Sequence, residues 1–404
     1  MVYFDLIILL ARKIMVEFIG SYFVKKKGAE DSPLKTRQIY GTVCSIVGIL
    51  LNVCLFVGKY FAGAISGSIA IMADAVNNLS DAGSSFITLV GFRFAGKKAD
   101  VDHPFGHGRF EYISGFVVSM AIIMMGFELI KSSISKIMHP AKIDTGIVSM
   151  IILIVSILVK LYMAYMNRSI GKKINSSAMK ATAVDSLSDA CATFFVLVSM
   201  VVIKLSGVNI DGYVGVLVSL FIFYAGYNAA KDTIDPLLGK NPEPEFVEAV
   251  KNIVMSHENI VGIHDMVVHD YGPGRVMVSL HAEVPGDGDI FELHDAIDHI
   301  ERELTEELGC SAVIHMDPIE TNNEVINALK EKVNEGVVLL IEGASIHDFR
   351  MVQGPTHTNL IFDVVVPYSV KESDEQVKEK ISKMVKIIDE TYFTVIIIDR
   401  LYIN

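Results

Sequence analysis

The sequence predicts six membrane-spanning helices followed by two small α+β domains in tandem. Three observations predict it: six apolar stretches long enough to span a bilayer, a fall in hydropathy after Lys240, and a repeated motif order beyond that point. Of the 404 residues 51% are hydrophobic, and the mean hydropathy of +0.44 is above that of an ordinary soluble protein. The stretches run over roughly 41–65, 68–95, 112–134, 147–166, 176–205 and 213–234. Each supplies the approximately 20 residues that a helix needs to cross the hydrocarbon core.

Orientation follows from the cations. Lys97, Lys98 and Arg109 lie in the link between spans two and three. Arg168, Lys172 and Lys173 lie between spans four and five, and Lys231 and Lys240 end the sixth. The positive-inside bias puts these links and both termini in the cytosol of a multi-pass protein, which we expect in the plasma membrane. Lys25, Lys26 and Lys27 agree with that. In residues 1–24 the charges Asp5, Arg12, Lys13 and Glu17 interrupt the apolar clusters. That segment reads as an amphipathic helix on the inner leaflet rather than a seventh span or a cleaved signal.

The formal charge of −12 is unevenly divided: residues 1–240 carry 23 Lys and Arg against 16 Asp and Glu, residues 241–404 only 12 against 31. A basic membrane half with an acidic soluble half argues against a nucleic-acid partner and suits attraction of cations. Cys44, Cys54, Cys191 and Cys310 have no ligand spacing and read as reduced, packed thiols.

Beyond Asn241-Pro242-Glu243-Pro244 the pattern becomes helix 245–256, strand 263–270, strand 275–284, helix 290–308 and strand 311–316. The same αββαβ order then recurs. Ile263-His264-Asp265 returns as Ile346-His347-Asp348, Gly272-Pro273 as Gly354-Pro355, and Val284-Pro285 as Val366-Pro367. Three matches in order indicate a tandem duplication. The expected domains are 1–38, 39–240, 241–320 and 321–404, the last a degenerate copy.

Ionisable groups within a bilayer are costly and are functional candidates by default. Asn77 and Asp81 in the second stretch, and Asp185 and Asp189 in the fifth, are spaced i, i+4, which stacks each pair on one helix face. If the faces meet, three carboxylates and an amide oxygen surround a point that calls for a cation. These hard oxygen donors, with no histidine in either stretch, favour Mn²⁺ while admitting Fe²⁺, Co²⁺ or Zn²⁺. The bland alternative is hydrogen bonding between helices; Asp74, one turn away, is open to pathway, packing or proton roles. In the link after the second stretch, Asp100, His103 and His107 form a second candidate metal site. In the first soluble repeat His264, His281, His294, His315 and Asp317 form a third, with His315 and Asp317 on one strand face. The second repeat keeps His347 and Asp399 but has Asp363 and Ile397 where the first has His281 and His315. It reads as degenerate scaffold, with a site of two or three oxygens and one imidazole as the alternative.

These motifs, together with the His103-Pro-Phe-Gly-His107-Gly loop and the His315-Met-Asp317-Pro strand, resemble the cation diffusion facilitator family over about residues 40–320. The Asn/Asp and Asp/Asp pairs resemble its manganese-exporting branch. The resemblance implies a homodimer with ferredoxin-like, metallochaperone-like soluble domains. It implies cation/proton antiport rather than enzymatic catalysis, with a divalent metal as substrate and possible regulator and no organic cofactor. It also implies that Asn77, Asp81, Asp185 and Asp189 are the transport site, Asp100, His103 and His107 a loop site, and the histidines of the first repeat with Asp317 a regulatory site. In some members a charge pair joins the position of Arg109 to an acid just after the sixth span; Gly239 stands there, with Asp235 as a substitute. Two other classes use the same residues: a metal receptor that moves no ion, and a membrane metallohydrolase centred on the loop. The latter lacks a general base beside an open metal position.

Overall fold

A computed structural model describes residues 20–26, 28, 32–66, 69–139, 146–208 and 210–401. The chain forms two compact units. Among the described residues the first contains six long helices: α1 (Pro33–Ser66), α2 (Ile69–Ala95), α3 (Phe110–Met138), α4 (Ile147–Lys173), α5 (Ser177–Ser206) and α6 (Asp211–Ile234). Among the described residues, all but α2 are both long and apolar enough to cross a membrane; α2 carries Asp74, Asp81 and Arg93. The bundle begins at Pro33, six residues before the expected 39, because the helix of the first span continues through the polar segment ahead of its apolar run. Most of the amphipathic segment expected over 1–24 lies outside the described residues, and Gly20–Lys26 is helical.

Within this unit α1 packs along α2, α3 along α6 and α4 along α5, while α5 also touches α2, α3 and α6. Small residues set the approach: a Cβ on Gly115 of α3 would stand 2.9 Å from the Cα of Ala178 on α5. The Thr88 and Thr182 hydroxyls, 2.9 Å apart, tie α2 to α5. At one end of the bundle Arg37 grips the buried Glu111 carboxylate with two bonds of 3.0 and 2.7 Å, and Ser176 donates to the same carboxylate. Large apolar side chains such as Phe61, Phe127 and Leu217 point outward, as a bilayer solvent demands.

The second unit holds both repeats. The first consists of α7 (Pro244–Met255), β1 (Gly262–Asp270), β2 (Val276–Pro285), α8 (Ile290–Leu308) and β3 (Cys310–Ile319). The second consists of α9 (Glu324–Leu340), β4 (Ser345–Gln353), β5 (Thr358–Pro367), α10 (Asp374–Ile388) and β6 (Tyr392–Leu401). Each sheet has three strands in sequence order, its third parallel to its second. That is one strand short of the βαββαβ order of a complete ferredoxin-like fold.

Both repeats fold for the same local reasons. On β2 alternate residues Val278, Leu280, Ala282 and Val284 are buried. So are Leu360, Phe362, Val364 and Val366 on β5, 82 positions later. On α8 the core residues Leu293, Ile297, Ile300 and Leu304 recur at helical spacing, and on α10 Val377, Ile381 and Val385 do so. Asp289 caps the start of α8, Gly309 its end at φ 65°, and Ser373 with Gln376 forms a capping box on α10. Asp265 and Asp348, equivalent in the duplication, share a left-handed backbone at φ 52° and 51°.

Candidate metal sites

The i, i+4 pairs of α2 and α5 line one cavity of about 480 Å³, together with Lys59, Asp74, Glu128 and Lys160. Asp185 is buried, whereas Asn77 stands on the open side. The sequence reading leaves three like charges with no counter-charge, and the structure corrects this. Lys160, on α4, puts its Nζ 2.6 Å from Asp81 Oδ2 and 2.5 Å from Asp189 Oδ2, with its side chain only 3% exposed. With all of them ionised, the three carboxylates of the two pairs and the Lys160 ammonium sum to two negative charges, the complement of a dication, and Glu128 is a further acid in the cavity wall. Asp74 is paired too, with Lys59 of α1 at 2.8 Å, which makes it a helix-packing partner inside the cavity. Asn78, which also lines the cavity, donates to the Asp74 carbonyl.

Among the described residues, the groups of three acidic or histidine donors whose atoms lie within 4.8 Å of one another are all outside the six helices. Asp100, His103 and His107 form one. Asp100 Oδ1 accepts the His103 backbone N–H at 2.8 Å, and that bond holds its carboxyl below the ordinary range. The Nδ1 of His107 faces the Lys98 carbonyl at 3.2 Å; a carbonyl only accepts, so this nitrogen carries the proton. Nε2 faces the second carboxylate oxygen, Asp100 Oδ2, at 3.4 Å.

In the first repeat the parallel register sets His281 beside His315. Asp317 gathers three imidazoles: His281 Nδ1 at 2.8 Å, His264 Nε2 at 3.1 Å and His315 Nε2 at 3.4 Å. His294 is not among them, contrary to expectation. It projects from α8 with its side chain 64% exposed and 3.8 Å from Asp298, off the buried stripe of Leu293 and Ile297.

Comparison with known proteins gives the same outline. Residues 45–238 match the cation efflux transmembrane domain, and residues 242–319 the cytoplasmic domain of cation efflux proteins. An uncharacterized transporter of Methanocaldococcus jannaschii is 32% identical over 253 residues, covering 63% of this chain and 88% of the relative. The chain belongs to the cation diffusion facilitator family. It is also similar to the cation-efflux pump FieF of Pectobacterium atrosepticum, at 25% identity over 69% of this chain and 93% of the pump. The cadmium, cobalt and zinc/H(+)-K(+) antiporter of Bacillus subtilis is 27% identical over 68% of this chain and 90% of the antiporter.

For this member of the family Arg109 takes a partner other than Gly239 or Asp235. The first unit includes the turn Asp270–Gly274, and the guanidinium donates to the Asp270 carbonyl at 3.1 and 2.8 Å while lying over the Tyr271 ring. The cavity also holds three charged groups that the sequence reading passed over, Lys59, Glu128 and Lys160. The signal was present, since each is an isolated charge within an apolar stretch.

In the second repeat Asp363 replaces the imidazole of His281. Burial, then Asp399, Asp348 and Asp265, push its carboxyl up to about 6 from an ordinary 3.8. An acid raised by folding destabilises the fold in its ionised form, so its cost is absent below about 4 and complete above about 6. In chelator-treated protein, Asp363→Asn should therefore raise the melting temperature over wild type at pH 7.5 and leave it nearly unchanged at pH 4. A melting difference independent of pH would contradict the assignment.

Proposed function

We propose that this chain exports a divalent transition-metal ion from the cytosol across the plasma membrane in exchange for protons, with Mn²⁺ the favoured substrate. It acts as a homodimer with both termini cytosolic and with α2 as the sixth span. The observation that carries the reading is the shared cavity of the two pairs: Asn77, Asp81, Asp185 and Asp189 line one space, and among the described residues no imidazole or thiol lines it with them. Oxygen donors suit Mn²⁺ over softer ions, although intrinsic affinity runs toward Zn²⁺ at most sites. The names of the relatives, which mention cadmium, cobalt and zinc, support a divalent cation and leave the choice among ions to the donor set.

The cycle follows from charge. An arriving dication displaces the Lys160 ammonium from between Asp81 and Asp189 and is held by carboxylates that must be deprotonated to bind it. When the cavity opens outward, protons compete the ion off, and the protonated site returns without carrying the charge of an empty anionic cage. The soluble clusters bind the same class of ion and bias the unit that holds them. A second reading is favoured by the close donor triads lying outside the helices: a receptor that binds metal without moving it.

Purified protein in liposomes distinguishes the two. Mn²⁺ uptake driven by a pH gradient is expected, and metal binding with no flux would favour the receptor. In the same assay Asn77→His should shift selectivity toward Zn²⁺ by roughly tenfold, about 1.4 kcal/mol, by trading an amide oxygen for imidazole nitrogen. Unchanged competition between the two ions would remove Asn77 from the selecting group.

A further inference from the structure

The proposed transport cycle leaves the second repeat without a task, and the family matches end at residue 319. Read as scaffold, this repeat should keep His347 and Asp399 as ordinary surface or packing groups. Their surroundings differ from that. The His347 side chain is 9% exposed, and neither of its ring nitrogens has a hydrogen-bond partner. Its Nε2 is 3.2 Å from Asp399 Oδ2, which is also buried without a hydrogen bond, so the two atoms are close but not aligned to share a proton. From the first repeat His264 stacks on His347 with ring centroids 4.1 Å apart. Its side chain is 6% exposed and both its nitrogens are likewise unbonded, 3.4 Å from Asp265 Oδ2 and 3.1 Å from Asp317 Oδ2.

Four buried imidazole nitrogens without partners are unusual, since natural interiors satisfy nearly all such atoms. A cation held between His347 and the carboxylates of Asp265 and Asp399 would give a His347 ring nitrogen and Asp399 Oδ2 the partner they lack. One ligand atom each from Asp265, His347 and Asp399 lies within 4.8 Å of the others. Donors about 2.1 Å from a common ion stand about 3.0–3.4 Å apart along the edges of an octahedron or tetrahedron. The 3.2 Å between His347 and Asp399 falls in that range. The two carboxylates match the charge of a dication.

We propose that Asp265 of the first repeat and His347 and Asp399 of the second form a metal site at the junction of the two repeats, taking a borderline divalent cation such as Zn²⁺ or Co²⁺. The mixed imidazole and carboxylate donors set that class. Because one ligand comes from the first repeat and two from the second, an ion there clamps the two domains of one chain together. It has no ligand in common with the group His281, His315 and Asp317, and it shares only Asp265 with the group His264, Asp265 and His281. It requires no ion movement through the membrane, so a failure of the export reading leaves it standing.

The test uses the full chain in detergent, stripped with chelator and dialysed against Zn²⁺ alone, in a His281→Ala/His315→Ala background that silences the Asp317 cluster. Bound zinc counted by elemental analysis should fall by one ion per chain when His347→Ala or Asp399→Asn is added. Because either change can disturb folding, His347→Cys loaded with Co²⁺ gives an independent readout: a thiolate-to-cobalt charge-transfer band is expected. An unchanged zinc count together with no thiolate band overturns the proposal.

Discussion

Asp185→Asn should reduce pH-driven Mn²⁺ flux about 100-fold while leaving the protein folded. The carboxylate is buried in the cavity wall of α5, and asparagine keeps its shape while removing one of three negative charges. A factor of 100 is about 2.7 kcal/mol. That is within the approximately 4 kcal/mol that two unit charges 4 Å apart exchange at an effective permittivity near 20. Asp185 makes no ion pair of its own among the described contacts, so its loss reports on the substrate rather than on helix packing. Flux near the wild-type rate would remove α5 from the site.

Lys160→Gln should separate binding from turnover in a way that Asp185→Asn does not. The ammonium lies between Asp81 and Asp189, where it competes with the substrate for the same oxygens. Without it the three carboxylates of the two pairs have no ammonium between them, and the Mn²⁺ dissociation constant should fall at least tenfold. Turnover should fall by a similar factor, because nothing internal remains to displace the ion or to neutralise the carboxylates after release. The metal-free protein should also melt earlier, since removing one partner of a buried ion pair costs about 3–5 kcal/mol. A lysine that serves packing alone predicts the opposite for affinity: binding and flux would weaken together.

The parts of this molecule legible in its sequence are those governed by local periodicity. The i, i+4 spacing of Asn77 with Asp81 and of Asp185 with Asp189 placed each pair on one face, and both faces line the same cavity. The recurrence of Ile-His-Asp at 263–265 and 346–348 identified two αββαβ units, and the structure gives both aspartates the same left-handed backbone. Lys160 was missed for a different reason. Its neighbours Ile157, Leu158, Val159 and Leu161 keep the local hydropathy high, so the stretch reads as an ordinary span although its one charge stands opposite the acidic pairs. His294 stands apart from His281 and His315 because it lies off the buried stripe of α8, and the spacing of the histidines alone does not show that. The junction of the repeats was the least legible feature. It depends on two domains docking and on the direction that a positive φ gives Asp265, and neither appears in the spacing of one repeat.

The most direct measurement of the central claim is anomalous scattering at the manganese edge from the full chain crystallised with Mn²⁺. The account predicts a peak inside the α2–α5 cavity, about 2.0–2.3 Å from oxygens of Asn77, Asp81, Asp185 and Asp189, with the Lys160 ammonium moved out from between the carboxylates. Peaks confined to the loop and the soluble repeats, with Lys160 still bridging Asp81 and Asp189, would contradict it.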